Sequence, residues 1–446
     1  MSRPLVLIHG YSSDGSAFAA WRGIFRDAGY SADRVHSVSY ASLTDEVTIP
    51  DIAEGFDKVL AGTPGLGNGE PFDAVVHSTG MLVLRAWLAA DPARRLPRLK
   101  HLVALAPATN GSPQAHKGRS FLGAIVKGNR QFGPDFLEAG KRVLDALELG
   151  SRFTWDLAHA DLFGDTPFYK DGPSRPYVAI FCGDSGYTGV ASVVNEAGTD
   201  GTVRWAGAAL NSRKLTVDLS DPAKPQALTP HYGTQDDVPV YLVPGVHHGT
   251  ILSAPTVPLA RHVIDFLTVS TSDGFVDWMA ETEAEFGPTR EAVDPFQQFV
   301  VRLRDERGAP VEDWNLQFQK DGGDFVDGFA AKVHVYSGDP SLRCFHVNLH
   351  DLGDPHEHLD GALLMRLVAS TGTRRVEYAG TDYQQTPPKT VLGNGGQFAL
   401  TLRVPTRPRP DFTLFYPFTT TLLDLIINRE SLVGRDKVIA LDPTPT

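Results

Sequence analysis

Ser78 sits at an abrupt change of pattern. Asp73-Ala74-Val75-Val76-His77 is a run of mostly small and β-branched residues, and Gly80 opens an apolar stretch through Leu88 with helical character. A strand, a sharp turn and a helix with serine at the tip present that hydroxyl as a nucleophile. The turn is tight, so the neighbours of the serine must be small, and Gly80 allows close backbone approach. Val76 stands where a G-x-S-x-G turn has its first glycine. Taken alone, such a short match also fits an ordinary strand-to-helix turn.

Acyl transfer by serine needs three further things. A base takes the hydroxyl proton, a buried carboxylate orients that base, and N–H donors meet the developing oxyanion. Asp200, in Thr199-Asp200-Gly201-Thr202-Val203, is the leading acid, although an Asp-Gly pair also makes simple turns. Asp184 is the competing acid, because it directly follows the apolar run Tyr177–Cys182. His247 and His248 both follow the apolar run Val238–Val243. His248 is the leading base, since Gly249-Thr250-Ile251-Leu252 would anchor its loop, and His247 is the alternate. The expected oxyanion donors are the backbone N–H groups of Thr79 and of Tyr11, just after His9-Gly10. Gly183-Asp184-Ser185-Gly186 imitates the nucleophile region of two-barrel serine peptidases, but the surrounding pattern contradicts that reading.

The elements that must position these groups are legible. Apolar runs at 4–8, 34–40, 73–77, 99–105, 177–182 and 238–243 alternate with helical spacing at 16–28, 49–61, 80–88 and 257–267. This alternation predicts an α/β domain with a mostly parallel sheet covered on both faces. Sites in such sheets lie beyond the carboxyl ends of the strands, so His9-Gly10 and Ser78 belong on one edge. From 109 to about 176 the alternation stops. The apolar stretches 121–126 and 136–149 there read as a helical lid or cap, with plain packing helices as the alternative.

A chain of 446 residues is long for one core. The reading divides it into an α/β domain over 1–270, an acidic helical connector over 271–294 and a β-sandwich-like domain over 295–446. The last rests on short alternating runs at 299–304, 314–318, 331–336, 362–368, 396–404 and 412–415, separated by turn residues.

Other chemistry is weakly represented. A formal net charge of −12 and the lack of basic runs argue against a nucleic-acid partner. Two cysteines, Cys182 and Cys344, exclude a disulfide framework. His346, His350, His356 and His358, and separately Asp351, Asp354 and Asp360, have spacings that metals tolerate, but solvated side chains are the expectation and no metal is assigned. Gly62–Gly69 lacks the lysine of a phosphate loop, and His101, His116 and His159 default to structural or exposed side chains. No signal pattern or membrane-length apolar run is visible, so the expectation is a cytoplasmic protein, or a secreted one if a signal peptide has been removed.

Together, His9-Gly10-Tyr11, His77-Ser78-Thr79-Gly80, Asp200-Gly201-Thr202-Val203 and His248-Gly249-Thr250-Ile251-Leu252 resemble the α/β-hydrolase fold, and within it the bacterial lipases and esterases. The resemblance covers about 1–270, and Val76 departs from it. It implies hydrolysis of carboxylic esters without a cofactor: Ser78 attacks, His248 shuttles the proton, Asp200 holds the imidazole, and Tyr11 and Thr79 bind the oxyanion. The apolar insertion and 24 phenylalanines favour a small-molecule ester or lipid, with lipid-interface contact through the lid. Polyester, thioester and phospholipid acyl bonds stay open as substrates. The rival from another class is a catalytically silent hydrolase domain whose C-terminal β-domain is a binding module.

Overall fold

In the computed structural model, the described residues are 3–67, 69–117, 140–166, 168–169, 175–223, 228–232, 238–319, 324–326, 328–329, 331–352, 362–405, 414–434 and 437–440. They form two units, one of residues 1–212 with 233–294, the other of 213–232 with 295–446.

Among the described residues before 250 the strands are β1 (Leu5–Ile8), β2 (Val35–Val38), β3 (Phe72–His77), β4 (Leu99–Leu105), β5 (Tyr177–Gly183), β6 (Ser212–Asp218), β7 (Leu228–Tyr232) and β8 (Val240–Val243). Six of them make one sheet in the order β2-β1-β3-β4-β5-β8, every neighbouring pair parallel. Every residue of β1, β3 and β8 is buried. Side chains on both faces of these strands are buried, which explains why they read as apolar runs instead of alternating.

The covering helices are amphipathic, and their starts are encoded locally. Helix α1 (Ala19–Asp27) buries Trp21 and Phe25. Helix α2 (Ile49–Gly62) opens with a reciprocal capping box between Thr48 and Asp51 and has Pro50 in its first turn. It buries Ile52, Phe56 and Leu60, one residue per turn. Helix α3 (Gly80–Ala90) follows Ser78 and is buried almost all round, as expected for a helix covered by others.

The insertion keeps short helices at Pro113–Lys117, Lys141–Leu147 and Arg152–Asp161. Residues 118–139 lie outside the described residues, and with them the expected lid stretch 121–126 and the start of 136–149. The acidic helix Ser272–Glu291, read from sequence as a connector, belongs to the first unit. Its aromatic side chains explain this: Trp278 packs on Phe266, Tyr241 and Phe181, and Phe286 on Phe181 and His262.

The second unit contains β9 (Phe296–Asp305), β10 (Trp314–Gln319), β11 (Val333–Val335), β12 (Leu342–Asn348), β13 (Ala362–Ser370), β14 (Val376–Asp382), β15 (Lys389–Leu392), β16 (Gln397–Pro405) and β17 (Thr420–Ser431). One sheet is β10-β13-β16. The other runs β11-β12-β9-β17-β14-β15, with β6 on β17 and β7 on β6. Side chains from both sheets, among them Leu215, Phe299, Leu316, Phe345, Leu367, Leu400 and Leu425, share one apolar core. Residues 213–232, placed by the sequence reading in the first domain, thus supply β6 and β7 to the second unit. The twelve-residue β17 was not read from sequence, and it pairs with β9 in parallel, unlike the other neighbours with described registers in this unit. The expected strand at 412–415 is absent at Leu414 and Phe415, while 412–413 lie outside the described residues.

Candidate active site

Ser78 leaves β3 with φ 52, in the left-handed region that side chains rarely adopt. Its neighbours hold it there. Ser78 N–H donates to Leu105 O at 3.2 Å, and Ser78 O accepts the N–H groups of Met81 and Ala108, each at 3.1 Å. A strained, over-determined turn of this kind suits a site that must present one hydroxyl. Two glycines leave it room. A Cβ on Gly10 would lie 2.8 Å from Ser78 Cβ and 3.4 Å from Ser78 Oγ. A Cβ on Gly80 would collide with the carbonyl oxygens of Ile8 and His9. The turn after β1 therefore rests directly against Ser78. Val76 is fully buried in β3 between Ile8 and Ala104, and beyond packing nothing in the structure explains it.

On the same sheet edge, His248 Nδ1 lies 2.9 Å from Asp200 Oδ2. Asp200 is fully buried, and its Oδ1 accepts the N–H groups of Thr202 at 3.0 Å and Val203 at 2.8 Å. His248 N–H also donates to Asp200 O at 3.0 Å. A carboxylate oxygen accepts, so Nδ1 carries a proton toward Asp200, and in a neutral ring Nε2 would keep its lone pair. This is the tautomer a general base needs.

The alternates are engaged elsewhere. Asp184 accepts the Ser185 hydroxyl at 2.7 Å and Gly245 N–H at 2.8 Å, which joins the ends of β5 and β8. His247 Nδ1 accepts Gly249 N–H at 3.1 Å, and its ring sits 4.8 Å from that of Tyr187. Burial lowers its pKa, against the opposing pull of Asp200.

Of the expected oxyanion donors, Tyr11 N–H donates to Thr79 Oγ1 at 3.2 Å. The Tyr11 phenol is pushed up to about 12 by burial and by the Asp45 carboxylate, so it stays neutral. Two residues that sequence reasoning missed support this edge. Tyr40 stacks on His9 at 4.2 Å, donates its hydroxyl to His9 O at 2.6 Å and its N–H to His9 Nε2 at 3.3 Å. His77 donates from Nε2 to His248 O at 3.1 Å. The signal for Tyr40 was its place at the end of the β2 segment, and for His77 its place beside the serine.

Farther along α3, Arg85 and Asp161 form a fully buried two-pronged ion pair at 2.7 and 2.9 Å. Arg85 also donates to Thr109 O at 2.6 Å, and Tyr169 donates to Asp161 at 3.2 Å. This ties the helix behind Ser78 to the Arg152–Asp161 helix of the insertion. Among the described residues no group of histidine, cysteine or carboxylate side chains is arranged to hold a metal. His356, His358, Asp354 and Asp360 lie outside them.

No protein-family model and no curated protein matches the sequence. Solved structures do match. Phospholipase PlaB from Legionella pneumophila, free and in complex with thio-NAD, superposes with a TM-score of 0.79 at 20% identity, covering 100% of this chain and 98% of that one. The mature lipase BlEst2 from Bacillus licheniformis matches with a TM-score of 0.40 at 16% identity, over 60% of this chain and 93% of that one. The chain has the α/β-hydrolase fold.

On this α/β-hydrolase sheet the turn carrying Ser78 follows β3, the Asp200 loop follows β5, and His248 follows β8. The three come in the chain order that the fold uses for nucleophile, acid and base. The match to PlaB runs the full length, so it includes the C-terminal β unit as well. No helix among the described residues is long and apolar enough to cross a membrane.

Proposed function

We propose that the chain hydrolyses carboxylic esters of lipids through an acyl-enzyme on Ser78. The observation that carries this is the Asp200–His248 pair at 2.9 Å, which engages Nδ1 and leaves Nε2 as the ring nitrogen free of the carboxylate, on the sheet edge that also carries Ser78.

In this reading Ser78 Oγ adds to the ester carbonyl as His248 Nε2 takes its proton. The carbonyl π electrons move to oxygen, and Thr79 N–H with the Tyr11 turn receives that charge. Collapse breaks the bond to the leaving alcohol, which takes the proton from His248. Water then attacks the acyl-enzyme with His248 again as base, releasing the acid and restoring Ser78. Asp200 stays ionised and stabilises the imidazolium at each step.

For the substrate class, the similarity to a phospholipase over the whole chain favours a phospholipid acyl ester. The test has two parts. A fluorophosphonate probe should label the full chain, and Ser78→Ala should abolish labelling. Phosphatidylcholine and p-nitrophenyl esters of rising acyl length should then be hydrolysed with loss in the same variant. A full-length chain that stays unlabelled would instead support a silent hydrolase domain with a binding role.

A further inference from the structure

Thr79 offers the site more than its backbone N–H. It is fully buried at the start of α3, yet its side chain makes no capping bond to its own helix. Threonine at such a place ordinarily satisfies a first-turn N–H. Here Oγ1 instead accepts Tyr11 N–H at 3.2 Å. A hydroxyl has two lone pairs and one proton. Among the described residues, that proton is donated to no other atom.

The surroundings fix where it can go. Thr79 follows Ser78 directly, and the Gly10 backbone approaches so closely that a Cβ there would stand 3.4 Å from Ser78 Oγ. The Tyr11 N–H to Thr79 Oγ1 bond therefore joins the residues next to Gly10 and Ser78, whose backbone and side chain approach each other. An N–H that donates to a hydroxyl polarises it and strengthens the bond the hydroxyl gives onward.

We propose that the Thr79 hydroxyl, polarised by Tyr11 N–H, is an oxyanion donor beside the Thr79 N–H for the tetrahedral adduct on Ser78. The chain of bonds runs from Tyr11 N–H to Thr79 Oγ1, and from the Thr79 hydroxyl to the oxyanion. No proton is transferred, because Thr79 donates and keeps its own. The Tyr11 N–H then acts through Thr79, and Thr79 contributes two donors from one residue. The inference rests on the serine-hydrolase reading above and adds a catalytic side chain to it.

The test compares Thr79→Val and Thr79→Ser with the unaltered full chain. p-Nitrophenyl butyrate gives kcat and KM, butylboronic acid gives affinity for a tetrahedral adduct, and fluorophosphonate labelling reports Ser78. Loss of one oxyanion donor should lower kcat of Thr79→Val by about 10²-fold with KM little changed, and weaken butylboronic acid by a similar factor. Thr79→Ser, which keeps the hydroxyl, should recover most of both. If Thr79→Val does not fold, as judged by melting, Thr79→Ala serves in the same comparison. A Val or Ala variant with kcat near the unaltered value sinks the proposal, as does a faster one, which would make the hydroxyl a plug on Tyr11 N–H. A Thr79→Ser variant as slow as Thr79→Val also overturns it. An unaltered chain that takes no fluorophosphonate label overturns the serine reading itself.

Discussion

The His77 imidazole donates to the backbone carbonyl of His248 at 3.1 Å, and the two rings lie 4.7 Å apart. A residue beside the proposed nucleophile thus holds the loop that carries the proposed base. His77 must be neutral to do this without cost. Burial lowers its pKa well below the histidine value of 6.5, and the neighbouring His248 and His9 act in the same direction. A cationic His77 would also oppose the imidazolium proposed for His248.

That arrangement sets a sign for pH dependence. Below about 6.5 the unfolded chain protonates His77 while the native chain does not, so protons favour unfolding. Stability contributed by the neutral ring is complete above that pH and is lost as pH falls toward the lower native pKa. His36, His247 and His262 are shifted the same way, each first by burial. Urea midpoints should therefore drop between pH 7.5 and pH 5, and the drop should be shallower in His77→Asn. An equal slope in the variant would remove His77 from the account.

Asp200 and Asp184 are distinguished by what they touch. Asp200→Asn should lower kcat by about 10⁴-fold, because the amide permits the wrong imidazole tautomer. Asp184→Asn should affect the β5–β8 turn and leave ester turnover largely in place. Near-normal turnover in Asp200→Asn would transfer the role to Asp184.

The histidine pair divides in the same manner. His248→Ala should abolish measurable ester turnover, whereas His247→Ala keeps most of it, since His247 closes its own loop through Gly249 N–H. Steady-state kinetics on one soluble ester decide this, and the reverse pattern would exchange the two assignments.

Gly10 makes a steric prediction. Its Cβ in Gly10→Ala would meet Ser78 Cβ at 2.8 Å, so Ser78 or the turn must shift. Misplacement by about 1 Å is expected to cost about 10²-fold in kcat. Kinetics with a parallel melting curve separate this from unfolding; full activity would show that the turn can yield.

The Arg85–Asp161 pair predicts stability instead of chemistry. Arg85→Met leaves the Asp161 charge buried and should destabilise the fold by about 3–5 kcal/mol. Adding Asp161→Leu should restore part of the loss, because the orphaned charge is gone. Denaturant unfolding of both variants tests this, and an unaffected single variant would mean water reaches the site.

Much of this architecture is legible in the chain. Strands such as Leu5–Ile8 and Phe72–His77 are buried on both faces, which forces apolar runs that periodicity detects. Capping at Thr48 and Asp51 is equally local. The second unit is less legible in the chain. β17 contains Leu422, Leu423, Leu425, Ile426 and Ile427, all buried, so it lacks the alternation that marked its neighbours. Residues 213–232 gave no sign of their destination, because a strand's sequence does not record which sheet it joins.

Local patterns in the chain are enough for the parallel sheet and for the order of Ser78, the candidate acids and the candidate bases along one strand edge. Order follows from periodicity and turn chemistry, which act within a few residues. Only the tertiary structure decided that Asp200 and not Asp184 faces His248, that His77 reaches its carbonyl, and that Tyr11 N–H meets the Thr79 hydroxyl. Those pairings depend on the paths of separate loops, where Gly201 takes φ 93 and Ser78 takes φ 52. Loop paths are set by packing between distant segments, and no local pattern encodes them.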